Sequence, residues 1–186
     1  MSISYTHPRR IPRVKRKDLD QEGRAIFDQI EQTRGGVWGP YSALLHSPQL
    51  ADRIQSVGEY LRFQGKLPGA FRELAILTAA VEGNCPFEWI IHEPIAREEG
   101  CRAEAIEYLR TGKENELEQA EMLIIECIRS LLSEKTVPDL LYKQLAEKFS
   151  TEEIIELYSI AGFYQLLAFV INGFDVPAPN SELPAF

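Results

Sequence analysis

The segment "ELAILTAAVEGNCPFEWIIHEPIA", Glu73 to Ala96, decides how the rest of the chain is read. Its first half is apolar without the alternation of a strand, and Gly83-Asn84 interrupts it as a helix end does. Pro86 follows, a residue welcome in the first turn of a helix and nowhere deeper, so a second helix starts at Asn84 or Cys85. That helix carries Cys85, Glu88 and His92 at spacings of three and four. Such spacing places the three side chains within roughly 60° on one face. Phe87, Trp89, Ile90, Ile91 and Ile95 surround them, leaving little room for a solvated stripe. Pro94 is expected to break or kink the helix just after His92.

Outward from this hairpin the pattern stays helical. "DLDQEGRAIFDQIEQTRGG" has capping aspartates, then Leu19, Ile26, Phe27 and Ile30 at helical spacing, then a Gly35-Gly36 stop. Ser47-Pro48 predicts an N-cap and first turn for a helix with Leu50, Ile54, Val57 and Leu61 as its apolar set. Further helices are expected from Pro68 to Glu82, over Ala105, Ile106 and Leu109 to Gly112, through "ELEQAEMLIIECIRSLL", and after Pro138 over Leu140, Leu141 and Leu145. Ser150 to Glu153 forms a capping box for a last helix to about Ile171. The expected fold class is all-α. A shift of 80 residues lays Glu73 on Glu153, Leu77 on Leu157 and His92 on Asn172. It allows either two pseudo-repeated helical halves or a likeness of composition alone.

The 186 residues suit a single domain over 18–186, preceded by a basic, proline-containing arm over 1–17. In "RRIPRVKRK", six basic residues lie between Arg9 and Lys17 in a chain of net charge −8. An extended arm resting on the acidic surface of its own or a neighbouring subunit fits that contrast better than nucleic-acid binding. No nucleic-acid partner is expected. The stretch Ile160–Ile171, interrupted by Gln165, falls short of the ~20 residues of a membrane span, so no membrane association is expected either. Three scattered cysteines make no disulfide framework and point to a reducing cytoplasm.

The chemistry lies in the hairpin. Cys85 at a helix N-terminus is either an activated thiol or a small capping residue. Glu88 and His92, four residues apart, can meet, so the carboxylate can orient or charge the imidazole. Glu73, set among Leu74, Ile76 and Leu77, is a carboxylate in an apolar run and needs a partner such as that histidine. His46, Trp89 and Arg72, with Arg62 as a substitute for Arg72, are candidate substrate contacts. A bidentate guanidinium would hold an anionic substrate.

"LPGAFRELAILTAAVEGNCPFEWIIHEPIA", with "GPYSALLHSPQLADRIQSVGEYLRF" upstream and "GFYQLLAFVINGFDVPAP" downstream, resembles the carboxymuconolactone decarboxylase family, which includes the alkylhydroperoxidase AhpD. The resemblance covers roughly residues 39 to 179. It implies an all-helical fold, assembly into trimers or hexamers, and a functional pattern of one glutamate, two cysteines two residues apart, and a histidine four residues on. Here the glutamate falls at Glu73, the first cysteine at Cys85 and the histidine at His92, while Glu88 stands in the second cysteine's place. In the peroxidase branch that second cysteine attacks peroxide and the first resolves the product, so the resemblance implies that this two-thiol cycle is missing.

Acid–base chemistry on a small carboxylated lactone or related small-molecule substrate is therefore expected, with Glu73, Glu88, His92 and Cys85 as site residues. No cofactor and no metal are expected. A thiol-dependent peroxidase using Cys85 and a non-catalytic oligomeric binding module are the alternatives. "GFYQLLAFV" and "GVWGPYSALL" hold more apolar surface than one small core needs, and a homo-oligomer would use it.

Overall fold

The computed structural model describes residues 8–113, 116–179 and 185–186. Among them are nine α-helices and no strand: α1 (Gln21–Arg34), α2 (Pro40–Leu44), α3 (Pro48–Phe63), α4 (Gly69–Glu82), α5 (Pro86–Glu98), α6 (Ala103–Thr111), α7 (Gln119–Glu134), α8 (Asp139–Lys148) and α9 (Thr151–Gly173). A single 3₁₀ turn, Arg16–Asp18, ends the arm, where extended chain was expected. The five-residue α2 within "GVWGPYSALL" has no counterpart in the sequence reading.

Helix α4 is the centre, packed against α5, α6, α7 and α9. Eight consecutive residues, Glu73 to Ala80, are buried, so this helix has no solvated face through its middle. Ala75, Ala79 and Ala80 keep its profile thin enough for several neighbours to approach. Thr78 satisfies its hydroxyl on the Leu74 carbonyl at 2.8 Å. Burying leucines such as Leu74 and Leu77 contributes about 1.5–3 kcal/mol each.

Helices α4 and α5 fold back through Gly83-Asn84, where Asn84 takes φ 45° in the left-handed region. Gly83 is required for contact: a Cβ there would lie 2.7 Å from Gln165 Nε2 and 3.0 Å from the Ala79 carbonyl. Helix α9 reaches into this turn with amides. Gln165 donates to Ala79 O at 3.0 Å, and Asn172 donates to Gly83 O and Asn84 O at 3.1 Å each. These bonds tie the turn to α9. Ala79 O also accepts from the Gly83 N–H at 2.9 Å, and Ala80 O and Val81 O accept from the Cys85 and Asn84 N–H groups at 2.9 and 3.0 Å, so the end of α4 is satisfied from both sides.

Helix α9 is longer than its apolar stretch Ile160–Ile171 and decides between the two readings of the internal echo. It is one continuous helix of 23 residues, long and apolar enough by composition to span a bilayer. Yet 56% of its most apolar window is buried within the protein, so it serves here as a core helix. The 80-residue shift lays the Gly83-Asn84 turn on Phe163 and Tyr164 in its unbroken middle, so hairpin does not map onto hairpin. The echo is one of composition.

Other local rules fare unevenly. Asp20 and Ser150 cap α1 and α9 through their side chains, and Ser150 with Glu153 completes the expected capping box. Ser47 makes no side-chain cap to α3. On α3 only Ile54 and Leu61 of the expected apolar set are buried, while Leu50 and Val57 face outward. Leu140 on α8 is exposed as well. Conversely "GVWGPYSALL" lies within its own core through Val37, Tyr41, Leu44 and Leu45, so it offers no spare apolar face.

The described part of the arm lies on its own chain. The Arg9 and Arg10 N–H groups donate to the Asp175 and Phe174 carbonyls, and Arg10 Nη1 donates to Gly173 O at 3.0 Å. A cation on the last carbonyls of a helix meets the negative end of its dipole. Arg16 pairs with Asp28 at 2.6 Å. Residues 1–7 of the arm lie outside the described residues.

Candidate functional site

The α4–α5 hairpin sets the site by counting. Glu73 lies ten residues before Gly83 and His92 nine after, so the two face each other across antiparallel helices. His92 Nδ1 is 2.7 Å from Glu73 Oε2, and both side chains are buried. The other Glu73 oxygen accepts from Arg72 Nε at 3.2 Å, and Arg72 reaches Glu99 at 3.1 Å through its outer nitrogen. Burial pushes the Glu73 carboxyl up, but the hydrogen bonds and charges of His92 and Arg72 outweigh it and hold the group below its ordinary value. An ionised Glu73 only accepts, so Nδ1 carries the hydrogen and Nε2 is left as the working nitrogen.

Nε2 faces two further groups. Glu88 Oε2 lies 3.6 Å away, and Tyr164 Oη, from α9, lies 3.3 Å away with its ring edge-on to the imidazole. Glu88 is buried, and its carboxyl makes no hydrogen bond among the described residues. Burial pushes its carboxyl above the ordinary range, against the pull of His92, Arg62 and Arg34. Burial, reinforced by Glu88, also holds the Tyr164 phenol well above its ordinary value. The result is an ionised Glu73, an imidazole, a carboxyl biased toward its protonated form and a neutral phenol. That set can accept a proton at one atom and donate one at another.

Glu88, His92 and Tyr164 open onto a cavity of 560 Å³. Its walls include Trp38, Tyr41, Phe87, Ile90, Ile91 and Phe163, together with Arg34 and Arg62. Pro94 also lines it but does not break the helix, because α5 continues to Glu98. Proline does remove the ordinary i→i−4 donor of the Ile90 carbonyl beside the same cavity.

The sequence-predicted residues divide. Glu73, Glu88 and His92 come together. Cys85 is the N-cap of α5, fully buried, and does not line the cavity. Burial and the Glu88 charge push its thiol up to about 12, overriding the lowering by the backbone N–H groups of Glu88 and Phe87. The expected activation at the helix terminus is present but loses to desolvation. Arg72 backs Glu73 and does not line the cavity; Arg62 does. Trp89 is buried edge-on against Phe186, and Trp38 lines the cavity in its stead. His46 is exposed and donates from Nε2 to the Pro12 carbonyl at 2.8 Å, anchoring the arm away from the site.

Thiol chemistry can be tested directly. Cys101 and Cys127, like Cys85, are free and raised to about 12 by burial first of all, so none is a thiolate near neutrality. The native chain is expected to turn over no organic hydroperoxide with a dithiol reductant. Glu88→Cys is expected to form a disulfide with Cys85 under oxidant, seen as the loss of two titratable thiols. Peroxide turnover by the native chain that vanishes in Cys85→Ser would contradict this.

Residues 48–113 match the family model described as "Carboxymuconolactone decarboxylase family", which covers α3 to α6 and contains Glu73, Cys85, Glu88 and His92. This is the resemblance read from the sequence. No curated protein matches the chain. Among solved structures, an uncharacterized peroxidase-related protein from Ralstonia eutropha JMP134, described as an alkylhydroperoxidase AhpD core, is similar with a TM-score of 0.76 and 17% identity over 93% of each chain. Another uncharacterized peroxidase-related protein, from Silicibacter sp. TM1040, gives 0.75 and 14% over 96% of this chain and 95% of its own. A protein of unknown function from Agrobacterium tumefaciens gives 0.65 and 18% over 74% of this chain and 96% of its own. At these identities the likeness shows the AhpD-like all-α fold.

Proposed function

We propose that this chain is an enzyme of carboxymuconolactone decarboxylase type, performing decarboxylation or proton transfer on a small carboxylated compound. One observation carries it: the cavity receives an imidazole, a carboxyl and a phenol, and no cysteine lines it. In a decarboxylation, the electron pair of the breaking C–C bond moves into a carbonyl conjugated within the substrate and CO₂ leaves. Glu88 in its protonated form delivers the proton to the resulting carbon. His92 Nε2, held by Glu73 through Nδ1, passes a solvent proton back to Glu88. Imidazole and carboxyl 3.6 Å apart need only a small approach for that exchange. No step calls for a cofactor.

The test is a panel of carboxylated lactones and β-keto acids in deuterated water, followed by CO₂ release and by deuterium at the carbon that loses CO₂. Deuterated product that disappears in His92→Ala supports the proposal. Turnover of hydroperoxide through Cys85 would replace it with the thiol peroxidase alternative.

We further propose a cytoplasmic homo-oligomer, trimeric or hexameric. Phe169 is 73% exposed and Phe63 66%, while Val57 and Ile155 share an open apolar groove between α3 and α9. Exposed apolar patches of that kind are rare on monomers. Light scattering is expected to give a multiple of 21.2 kDa, and Phe169→Glu to lower it. A stable monomer of the native chain at micromolar concentration would refute the assembly.

A further inference from the structure

We propose that Arg34, Arg62 and the Tyr41 hydroxyl form the receptor for the acid group of the substrate, and that this substrate is an aromatic or alicyclic carboxylate. For its reaction the inference rests on the acid–base proposal above; for its binding it stands alone.

The two guanidiniums are out of place by charge. The chain has 28 acidic side chains against 20 basic ones, yet neither Arg34 nor Arg62 has an ion-pair or hydrogen-bond partner from its guanidinium among the described residues. Arg34 Nε is buried and unpartnered, and so is the Tyr41 hydroxyl on a residue only 4% exposed. A buried polar group without a partner is costly, and such groups are few in folded proteins. Both residues line the cavity that holds Glu88 and His92, so one bound anion could satisfy them where the proton chemistry takes place.

Their positions are set by rings. The Arg34 guanidinium lies 4.2 Å from the Tyr41 ring centroid, and that of Arg62 lies 4.9 Å from the Phe63 centroid. Stacking orients a guanidinium while leaving its in-plane N–H groups free for a carboxylate fork. Gly58, one turn before Arg62 on α3, keeps the space open. A Cβ there would lie 2.8 Å from Phe163 Cζ and 3.4 Å from Arg34 Nη2.

The remaining wall sets the class of ligand. Trp38, Phe87, Ile90, Ile91, Phe163 and Leu167 offer flat and aliphatic surface but few polar groups. At 560 Å³ the cavity lies within the ~300–1,000 Å³ of sites that enclose ring-sized organic ligands. A short polar acid would fill the cationic end and leave this surface bare. Arg72, by contrast, is engaged by Glu73 and Glu99 and takes no part.

The experiment is calorimetric titration of the full chain with 2-naphthoate, 2-naphthamide and acetate. Naphthoate is expected to bind at least tenfold tighter than its neutral amide, and acetate to bind far more weakly than either. Arg34→Met and Arg62→Leu are each expected to lose tenfold or more for naphthoate and leave naphthamide unchanged. Tyr41→Phe should lose a few-fold. Binding is read here without turnover, which separates failure of the subsite from failure of the proposed reaction. Equal affinity for acid and amide in the native chain, a comparison that needs no variant, would overturn the subsite. So would no binding of naphthoate at millimolar concentration, or folded Arg34→Met and Arg62→Leu variants that bind as the native chain does.

Discussion

His92→Ala is expected to lower turnover by about 10²–10⁴-fold, the range ascribed to a positioned general acid or base. Among the described residues, the imidazole is the one group placed to touch Glu73, Glu88 and Tyr164 together, with Nδ1 at 2.7 Å from one and Nε2 at 3.6 and 3.3 Å from the others. Its loss separates a cavity-facing carboxyl from the buried carboxylate behind it. Glu73→Gln should give a smaller loss in the same direction, because a neutral amide can still accept from Nδ1–H but no longer stabilises the imidazolium. Cys85→Ser should be close to silent in turnover, since that side chain is a buried N-cap outside the cavity and serine suits the position. Measured turnover on the substrate found by the panel decides it. A Cys85→Ser variant as damaged as His92→Ala would reverse the assignment.

Thermal stability should split the two carboxylates. The native fold holds Glu73 below its ordinary value, so its contribution is present above the unfolded pKa and is lost as pH falls through the folded one. Glu73→Gln is therefore expected to destabilise near neutrality, by about 2–3 kcal/mol as a charged hydrogen bond in a buried pair is removed. For a chain of this size that is a fall in Tm of roughly 5–10 °C. The native fold holds Glu88 above its ordinary value, so its favourable state lies at low pH, and stability is lost as pH rises through the folded pKa. Glu88→Gln is thus expected to raise Tm at pH 8, with the gain fading toward pH 4. Paired melting curves at the two pH values check both signs. A lower Tm for Glu88→Gln at pH 8 would mean that His92 and the two arginines stabilise this carboxylate more than burial penalises it.

The opposed carboxylates suggest a division of labour. Glu73, tied by two partners, contributes to the fold and orients the ring. Glu88, whose charge burial disfavours, is the one the proposed reaction uses as proton donor. A site that holds the Tyr41 hydroxyl and Arg34 Nε without hydrogen-bond partners, beside a carboxyl that burial disfavours as an anion, gives up stability at each of them, and ligand binding is the natural way to recover it.

Much of this was legible in the residues, and the reasons are local. Proline at the start of α5, Gly83-Asn84 before it and the capping box at Ser150 fix where helices begin and end, because backbone donors and φ values are decided within a few residues. The spacing of Glu88 and His92 fixes their shared face in the same way, and the hairpin then brings Glu73 opposite. Burial and partnership are not local. Helix α9 is apolar on every side, so no periodicity could single out Tyr164 as the residue that meets His92. Arg34 and Tyr41 lie on α1 and α2, and only the packing of those helices with α3 places them beside Arg62. The thiol of Cys85 has the helix terminus that activates cysteines and the burial that silences them. Sequence shows the first, and the balance between the two depends on how tightly the neighbouring helices close over it.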